Sequence, residues 1–421
     1  MPIEKVDTIV VGGGQAGIAM SEHLSKAGVP HIVFERNRIA ERWRSERWDS
    51  LVANGPAWHD RFPNMEFADI DPDAFAPKEK VAQYFEDYAK KIAAPIRCGV
   101  EVKKVERLNG SPGFGVETSH GLFEANNVVA ATGPFQNPAI PKIVPGDMNV
   151  LQIHSTTYKN PDQLPQGAVL VVGAGSSGVQ IAEELMLAGR QVYLSVGPHE
   201  RPPRAYRGID FCWWLGVLGK WEAATRGPGT EHITIAVSGA RGGHTVDFRR
   251  LAARGMTLVG LTESCTNGMM SFKGDLTENL ANGDANYLGL LDEADAYVIR
   301  NGLDLPTDPD ARNILPDPEC VTHPIRELNL AEAGVTSIVW ATGFTSDYSW
   351  LRVDAFDDLG RPKHQRGVSS EPGVYFLGLS WQSRRGSAFI WGVWHDAKLL
   401  ADRITTHRKY LEYRMPARAA E

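Results

Sequence analysis

An α/β fold with two dinucleotide-binding domains, one inserted into the other, is predicted by two glycine-rich turns and a repeated tripeptide. The turns are IVVGGGQAGIA, 9–19, and LVVGAGSSGVQ, 170–180. Each follows an apolar run typical of a buried parallel strand and precedes a helix. The tripeptide Ala-Thr-Gly ends two further strand-like segments, 126–133 and 335–343. Together these features indicate two Rossmann-like domains.

Composition and charge narrow the class of protein. The 421 residues are enough for two or three domains, and the hydrophobic content of 43% is ordinary for a globular protein. A net charge of −7 gives no basic face for nucleic acid, and no apolar run approaches the roughly 18 residues of a membrane span. The four cysteines form no CxxC pair and no cluster of metal ligands. The chain enters a strand almost at once, so no signal peptide is expected. With the unpaired cysteines, this favours a reduced, cytoplasmic protein.

The first turn fits the GxGxxG pattern of a pyrophosphate-binding loop. Gly12, Gly14 and Gly17 permit the tight turn, the approach of a pyrophosphate and close packing of helix on strand. The next strand, HIVFE, ends in Glu35, at the place where an acid binds a ribose 2′-hydroxyl. A nucleotide with a free ribose is predicted here, and the alternative is a glycine turn without a ligand. The neighbouring contacts expected are Gln15, Ala16 and Arg36.

The second turn repeats the pattern but differs at the end of its following strand. QVYLS ends in a serine in place of an acid, and VGPHERPPRAYRG then supplies three arginines, the last of them Arg207. Guanidinium groups bind the 2′-phosphate that a glutamate would repel, so the sequence predicts an NADPH site. Arginines that serve NADH, or that are solvated loop charges, are the alternatives. The contacts expected are Gly173, Gly175, Ser176, Ser177, Gly178, Ser195, Arg201 and Arg204.

Two cofactor sites imply electron transfer between them, and FAD with NADPH satisfies the two ribose preferences. The predicted organisation is an FAD-binding domain over 1–162, an NADPH-binding domain with a Trp-rich insertion over 163–334, and a return to the FAD-binding domain over 335–421. The Ala-Thr-Gly segments are expected to carry the chain between domains, with the final glycine bringing backbone close to a cofactor. The contacts expected there are Thr132, Gly133, Ala341, Thr342 and Gly343.

With these motifs the chain resembles the class B flavoprotein monooxygenases, which include flavin-containing monooxygenases, plant indole-pyruvate monooxygenases and Baeyer–Villiger enzymes. The resemblance spans nearly the whole sequence. Besides the turns, Glu35 and the Ala-Thr-Gly strands, it rests on ERWRSERWDSL, 41–51, and GLSWQSRRGSAFIWGVWHDA, 378–397. It implies further flavin contacts from Trp43, Arg44, Trp48, Asp49, Ser50, Val102, Gly392 and Asp396.

The stretch LVANGPAW, 51–58, is similar to the one in which flavin-containing monooxygenases carry an asparagine beside the flavin C4a. The resemblance makes Asn54 the candidate catalytic residue. Its amide can hydrogen-bond a peroxide on C4a, or a bound substrate, in a site closed to water. The alternative is structural, since Asn54-Gly55 also suits a turn.

One segment departs from the family pattern. The signature before the second turn is FxGxxxHxxx followed by tyrosine or tryptophan. Here DMNVLQIHSTTYKN keeps His154 and Tyr158, but Met148 and Val150 stand for the phenylalanine and glycine. In the family this segment is thought to couple the two domains. Tyr158-Lys159 favours the N- and S-oxygenating and indole-pyruvate group over the Baeyer–Villiger enzymes.

Tryptophans are concentrated in 209–224 and 381–394, and with Trp58 they could form an aromatic pocket. The alternative is that most are ordinary core or interface residues. The Trp-rich insertion is also a candidate interface for a homodimer. The candidate substrate contacts are Trp58, Trp213, Trp214 and Trp391.

The predicted function is that of an NADPH- and FAD-dependent monooxygenase, inserting one oxygen atom from O2 into a small organic substrate through a C4a-(hydro)peroxyflavin. N- or S-oxygenation, or oxidation of an aromatic or aryl-pyruvate substrate, is favoured, and no metal, nucleic acid or membrane partner is expected. The alternatives are a Baeyer–Villiger monooxygenase, a flavin reductase or oxidase without oxygen insertion, and a non-catalytic flavoprotein. The lack of paired cysteines argues against a disulfide acceptor.

Overall fold

Strands and helices alternate through the computed structural model, which describes residues 3–224 and 234–414. The strands are β1 (Glu4–Val11), β2 (His31–Glu35), β3 (Ile96–Cys98), β4 (Val102–Arg107), β5 (Phe114–Thr118), β6 (Gly121–Ala130), β7 (Asn137–Pro138), β8 (Leu151–His154), β9 (Ala168–Val172), β10 (Val192–Ser195), β11 (Ala205–Tyr206), β12 (Ile209–Asp210), β13 (Thr257–Val259), β14 (Thr262–Thr266), β15 (Met269–Phe272), β16 (Glu327–Asn329), β17 (Val335–Trp340), β18 (Phe344–Thr345), β19 (Leu351–Arg352), β20 (His364–Gln365), β21 (Val368–Ser369) and β22 (Val374–Phe376). The helices are α1 (Gln15–Lys26), α2 (Glu41–Ser45), α3 (Lys78–Lys91), α4 (Ser176–Leu187), α5 (Phe211–Val217), α6 (Phe248–Ala253), α7 (Leu276–Asn301), α8 (Glu319–Thr322) and α9 (Ile390–Arg414). Short 3₁₀ turns lie at Pro161–Gln163, Ala240–Gly242, Pro309–Arg312 and Arg385–Ala388.

The first sheet is built around β1, whose last residues are apolar and buried. The strand pairs in parallel with β2 on one side and β6 on the other, in the order β19-β4-β5-β6-β1-β2-β3. β22 pairs with β6 and continues into the hairpin of β20 and β21. Helices α1, α3 and α9 bury one face of the sheet in a single apolar cluster. This sheet therefore positions the first glycine turn at the carboxyl end of its central strand.

The second sheet is built around β9, AVLVV, which is buried at every position. Its strands are all parallel, in the order β13-β10-β9-β17-β8. Helix α4 packs on one face together with α6 and the start of α7. The α/β fold with two dinucleotide-binding domains is thus confirmed.

Two strands outside the predicted second domain, 163–334, pair within the second sheet. β8 precedes the first boundary and β17 follows the second, yet both belong to the second sheet. β17 must lie beside β9, because its continuation closes the second glycine turn. The two crossings of the chain between sheets then run side by side, since β7 and β18 pair with each other antiparallel.

Helix α7 supports the Trp-rich insertion, which packs along it through Tyr206, Trp213 and Trp214. Asp210 caps α5 by accepting the N–H of Cys212 at 2.8 Å. No helix in the described ranges is long and apolar enough to cross a bilayer.

Candidate active site at the two glycine turns

The first turn has the geometry of a pyrophosphate-binding loop. Gly12 has φ +113°, and a Cβ there would lie 2.6 Å from the carbonyl oxygen of Ala131, while a Cβ on Gly17 would overlap Gly12 O. At Gly14 a Cβ would meet nothing within 4 Å. Helix α1 begins beside this open space without a side-chain cap, so its first N–H groups are available to an anion.

The second turn repeats the first almost atom for atom. Gly173 has φ +107°, its Cβ would lie 2.5 Å from Ala341 O, and a Cβ on Gly178 would overlap Gly173 O. The central glycine differs, because a Cβ on Gly175 would lie 3.3 Å from Thr234 Cγ2. The hydroxyl of the neighbouring Ser176 donates to Ile235 O at 2.8 Å. A dinucleotide at this turn therefore shares its space with the segment 234–235.

The Ala-Thr-Gly segments complete both turns in the same way. Ala131 N–H donates to Val11 O and Ala341 N–H donates to Val172 O, so each alanine is locked to the strand that leads into the turn. Gly133 and Gly343 have φ values of +73° and +81°. No atom lies within 4 Å of a Cβ on either, so backbone conformation selects these glycines. Thr132 and Thr342 use their hydroxyls within the chain, one accepting from Gln136 and the other donating to Ala139 O.

Glu35 lies at the end of β2 beside the first turn, as predicted. Its carboxylate accepts the N–H of Gly13 at 2.7 Å and that of Asn37 at 2.9 Å, and the side chain keeps partial exposure. Gln15 at the start of α1 donates to Ala388 O, which joins the turn to the C-terminal return. Arg36 is exposed.

Three residues predicted to contact a 2′-phosphate are buried and paired within the chain. Ser195 is 1% exposed and donates to Gly260 O at 2.9 Å. Arg201 pairs with Asp284 at 2.6 Å. Arg204 pairs with Asp210 at 2.6 Å. Arg207 is also paired, with Asp295 at 2.7 Å, so each of the three arginines has an acidic partner in the chain.

Asn54 lies where the first domain meets α4, held by three anchors. Gln180 of α4 donates to Asn54 Oδ1 at 2.8 Å, and Arg204 donates to the Asn54 carbonyl oxygen at 2.6 Å. On the next residue, the Gly55 N–H donates to Asp60 Oδ2 at 2.9 Å. Asn54 is half-buried, and within the described residues no hydrogen bond uses its Nδ2. The structural and the catalytic interpretation of Asn54 are therefore compatible, because its main chain is held in place while its NH₂ group stays available as a donor.

The segment 41–51 divides between the two domains. Trp43 packs against the cores of both, Trp48 is buried in the second, and Arg44 pairs with Glu86 of α3 at 2.7 Å. Asp49 and Ser50 are exposed and bind the neighbouring domain and linker, Asp49 to Asn160 and Ser50 to Glu184. Val102 lies at the start of β4 in the cluster on the other face of the first sheet.

The C-terminal return brings a buried carboxylate to the start of α9. Asp396 is 1% exposed and accepts from Ser383 at 2.5 Å through Oδ1, while its Oδ2 has no partner within the described chain. Trp391 Nε1 is likewise buried and without a partner there. A Cβ on Gly392 would overlap Gly386 O, so close packing requires this glycine. Burial and nearby Arg384 lower the pKa of His395.

The four tryptophans predicted as substrate contacts belong to two separate clusters. Trp58, Trp221 and Trp391 surround His59, with ring centroids 5.2–5.5 Å from it. His59 Nδ1 bonds Asp60 at 2.8 Å, which ties the cluster to the Asn54 turn.

Trp214 is fully buried in the other cluster and donates to Tyr206 O at 3.0 Å. Trp214, predicted as a substrate contact, thus has no exposed surface and packs as a core residue. Trp213 packs edge-on against it at 4.8 Å.

A cavity of about 240 Å³ lies beside the His59 cluster. Leu215 and Leu290 line it and also belong to the apolar core around Trp221. Two ion pairs stand at its edge, Glu200–Arg385 at 2.6 Å and Lys220–Glu293 at 2.8 Å. The cavity thus combines an apolar wall with charged groups of both signs.

The linker residues kept from the family signature form their hydrogen bonds with the second domain. His154 is buried and bonds Gly343 O at 3.0 Å, and burial lowers its pKa. Tyr158 is fully buried and donates to Glu184 of α4 at 2.7 Å.

Sequence reasoning missed Gln180, Glu184 and Ser383, whose partners are set by tertiary packing. It also missed Asp60, which bonds the nearby Gly55 and His59. Only Gln180 could have been noticed in the sequence, because VQIAEELML places this polar residue among apolar helix positions.

The residues present fit a flavin dinucleotide at the first turn. The open space at Gly14, the uncapped α1, the accessible Glu35 and the unpartnered Asp396 Oδ2 are the features that such a ligand uses. The second turn has the same glycine geometry and the uncapped start of α4.

Comparison with known proteins gives consistent matches. The family model described as pyridine nucleotide-disulphide oxidoreductase matches residues 9–206. A Geobacillus kaustophilus protein named uncharacterized oxidoreductase CzcO-like is 36% identical over 410 residues, 96% of this chain and 99% of that protein. Probable indole-3-pyruvate monooxygenase YUCCA4 of Arabidopsis thaliana is 26% identical over 94% of this chain and 89% of its own length. The flavin-containing monooxygenase from Stenotrophomonas maltophilia has the same fold, with a TM-score of 0.66 at 18% identity over 96% of this chain and 100% of that one.

Two such turns, one on a mixed sheet and one on a parallel sheet, together with the family match, define a flavoprotein oxidoreductase that uses a nicotinamide dinucleotide. The relatives that match along almost the full length place the chain further: it belongs to the class B flavoprotein monooxygenase family.

Proposed function

We propose that this protein is an FAD-dependent monooxygenase that takes reducing equivalents from NADPH and transfers one oxygen atom from O2 to a small organic substrate. The observation that carries the proposal is the half-buried Asn54 amide, which is held between the two domains and whose NH₂ group has no partner among residues 3–224 and 234–414. The bound flavin would supply hydride acceptance and activation of dioxygen. The chain's contribution is to bind both dinucleotides, exclude water and offer an N–H donor where negative charge develops on oxygen.

We propose NADPH, and not NADH, as the electron donor. The three arginines on which the prediction of NADPH rested are paired with acidic side chains. The strand after the second turn, however, does not end in an acid that would repel a 2′-phosphate. NADPH remains the proposal because Ser195 replaces the glutamate of the first site.

A planar aromatic substrate, or one with a soft nitrogen or sulfur, is favoured over a simple ketone. Trp221 and the Trp58–His59–Trp391 cluster supply aromatic rings. The neighbouring cavity has an apolar wall that includes Leu215 and Leu290, and the charges at its edge suit a polar group on the same molecule. The name of the Arabidopsis relative agrees with an aryl-pyruvate.

The alternative of a disulfide reductase receives no support from the cysteines. All four are free, and burial raises the pKa of each thiol. A redox-active cysteine needs the opposite shift, because the thiolate is the nucleophile.

The test is stopped-flow spectroscopy of the purified protein, reduced by NADPH or NADH and mixed with oxygenated buffer. We expect a long-lived transient absorbing in the near ultraviolet before oxidised flavin returns, with faster decay in Asn54→Ala. Incorporation of ¹⁸O from ¹⁸O2 into a thioether, amine or aryl-pyruvate then establishes oxygen transfer. Direct reoxidation with one hydrogen peroxide per reduced nucleotide, with every substrate class tested, would make the protein an oxidase or reductase instead.

A further inference from the structure

One buried glutamine decides which end of the Asn54 amide is exposed. Gln180 is 6% exposed and its Nε2 lies 2.9 Å from the carbonyl oxygen of Val237. That oxygen can only accept, so the nearer atom of the glutamine amide must be nitrogen. The orientation of Gln180 is thus set by backbone.

The second hydrogen of the same nitrogen is directed at Asn54. Gln180 Nε2 lies 2.8 Å from Asn54 Oδ1. Turning the asparagine over would bring two NH₂ groups together, which costs a hydrogen bond and leaves buried donors unpaired. Asn54 therefore keeps its oxygen toward α4 and presents its NH₂ group on the other side.

Resting on the proposed function, we propose that Gln180 is a positioning residue that fixes the Asn54 amide as a hydrogen-bond donor to the oxygen being transferred. Because Gln180 lies on α4, which begins at the second glycine turn, the donor is joined directly to the domain that binds the nicotinamide dinucleotide. Arg204, from the same domain, holds the main chain of Asn54 through its carbonyl oxygen. The orientation of the Asn54 side chain therefore depends on Gln180 alone.

The first experiment requires no turnover. The Asn54 side-chain amide is observed by NMR in ¹⁵N-asparagine-labelled protein as purified, and it is assigned by its loss in Asn54→Ala. In Gln180→Met, which keeps the volume, and in Gln180→Glu, which cannot donate when ionised, we expect this resonance to shift. The matched control is Gln152→Met on β8, a half-buried glutamine bonded to Trp340. An Asn54 resonance that moves no more than in the control would overturn the proposal.

The second experiment measures the hydrogen peroxide released per NADPH consumed, in a double-mutant cycle of Gln180→Met with Asn54→Ala. We expect Gln180→Met to raise peroxide release about fivefold, the equivalent of one neutral hydrogen bond, and to have no further effect once Asn54 is absent. Additive effects would show that Gln180 acts elsewhere. If no variant transfers oxygen, the proposed function fails, while the NMR result still decides the role of Gln180.

Discussion

Gly14 and Gly17 stand three residues apart, yet an added methyl group would have opposite effects at the two positions. At Gly14 it meets nothing within 4 Å and the backbone has φ −87°, so Gly14→Ala should fold normally. The same methyl occupies the approach of the pyrophosphate, so FAD affinity should fall about tenfold or more. At Gly17 the methyl overlaps Gly12 O, and Gly17→Ala should fail to fold.

The measurement is the molar ratio of bound FAD to protein, together with thermal unfolding by circular dichroism. Full FAD occupancy in Gly14→Ala would show that the pyrophosphate does not lie at this turn.

At the scale of single residues, the sequence predicts a residue's location where the local backbone alone determines it. Gly12, Gly17 and Glu35 are of this kind, since a turn and the end of one strand set them. The role of Arg201 could not be predicted, because its partner Asp284 lies 83 residues further on and is brought to it only when α7 packs on the second sheet.

At the element scale, one buried carboxylate joins α1, α3 and α9. Glu22 is 2% exposed and accepts from Tyr88 and Trp394, each at 2.7 Å, besides Lys26 and Asn64. No periodicity predicts this contact, because an acid on an amphipathic helix is expected to face solvent. The same junction buries His23 against Trp394, with ring centroids 4.3 Å apart.

Burial lowers the pKa of His23 to about 4, from which a pH dependence follows. Below the unfolded value of 6.5 the unfolded chain binds a proton that the folded protein refuses, so stability falls as pH falls from 6.5 toward 4. From pH 7 to pH 5 this residue alone should remove about 2 kcal/mol of unfolding free energy. Its hydrogen bonds lower the pKa of Glu22, so Glu22 acts in the same direction at more acidic pH.

Urea unfolding of the wild type and His23→Gln at both pH values measures the effect. We expect a smaller loss between pH 7 and pH 5 in the variant, and an equal loss in the two proteins would contradict the assignment. Lys26 and Lys398, which also lower the pKa of His23, are unchanged in both proteins.

At the scale of the whole molecule, the insertion of one domain into another was readable because the two turns and the two Ala-Thr-Gly segments repeat. The sequence did not reveal that β8 and β17 join the second sheet, because either sheet could accept an apolar parallel strand. The sequence also did not predict the contacts that orient the two domains. The contacts Ser50–Glu184 and Glu200–Arg385 join residues that lie 134 and 185 positions apart in the sequence.

The Glu200–Arg385 pair joins the second domain to the C-terminal return, with side chains 28% and 14% exposed. Because hydride transfer requires the two domains to hold one geometry, Glu200→Gln and Arg385→Gln should each slow flavin reduction by NADPH about threefold, with FAD content unchanged. The double variant should be no slower than either single one, since both remove the same interaction. Lys363→Gln, at an exposed pair with Asp354, is the matched control and should leave the rate unchanged. Single-turnover reduction under anaerobic conditions gives the rate constants, and single variants that reduce flavin as fast as the wild type would show that domain orientation is set by other contacts.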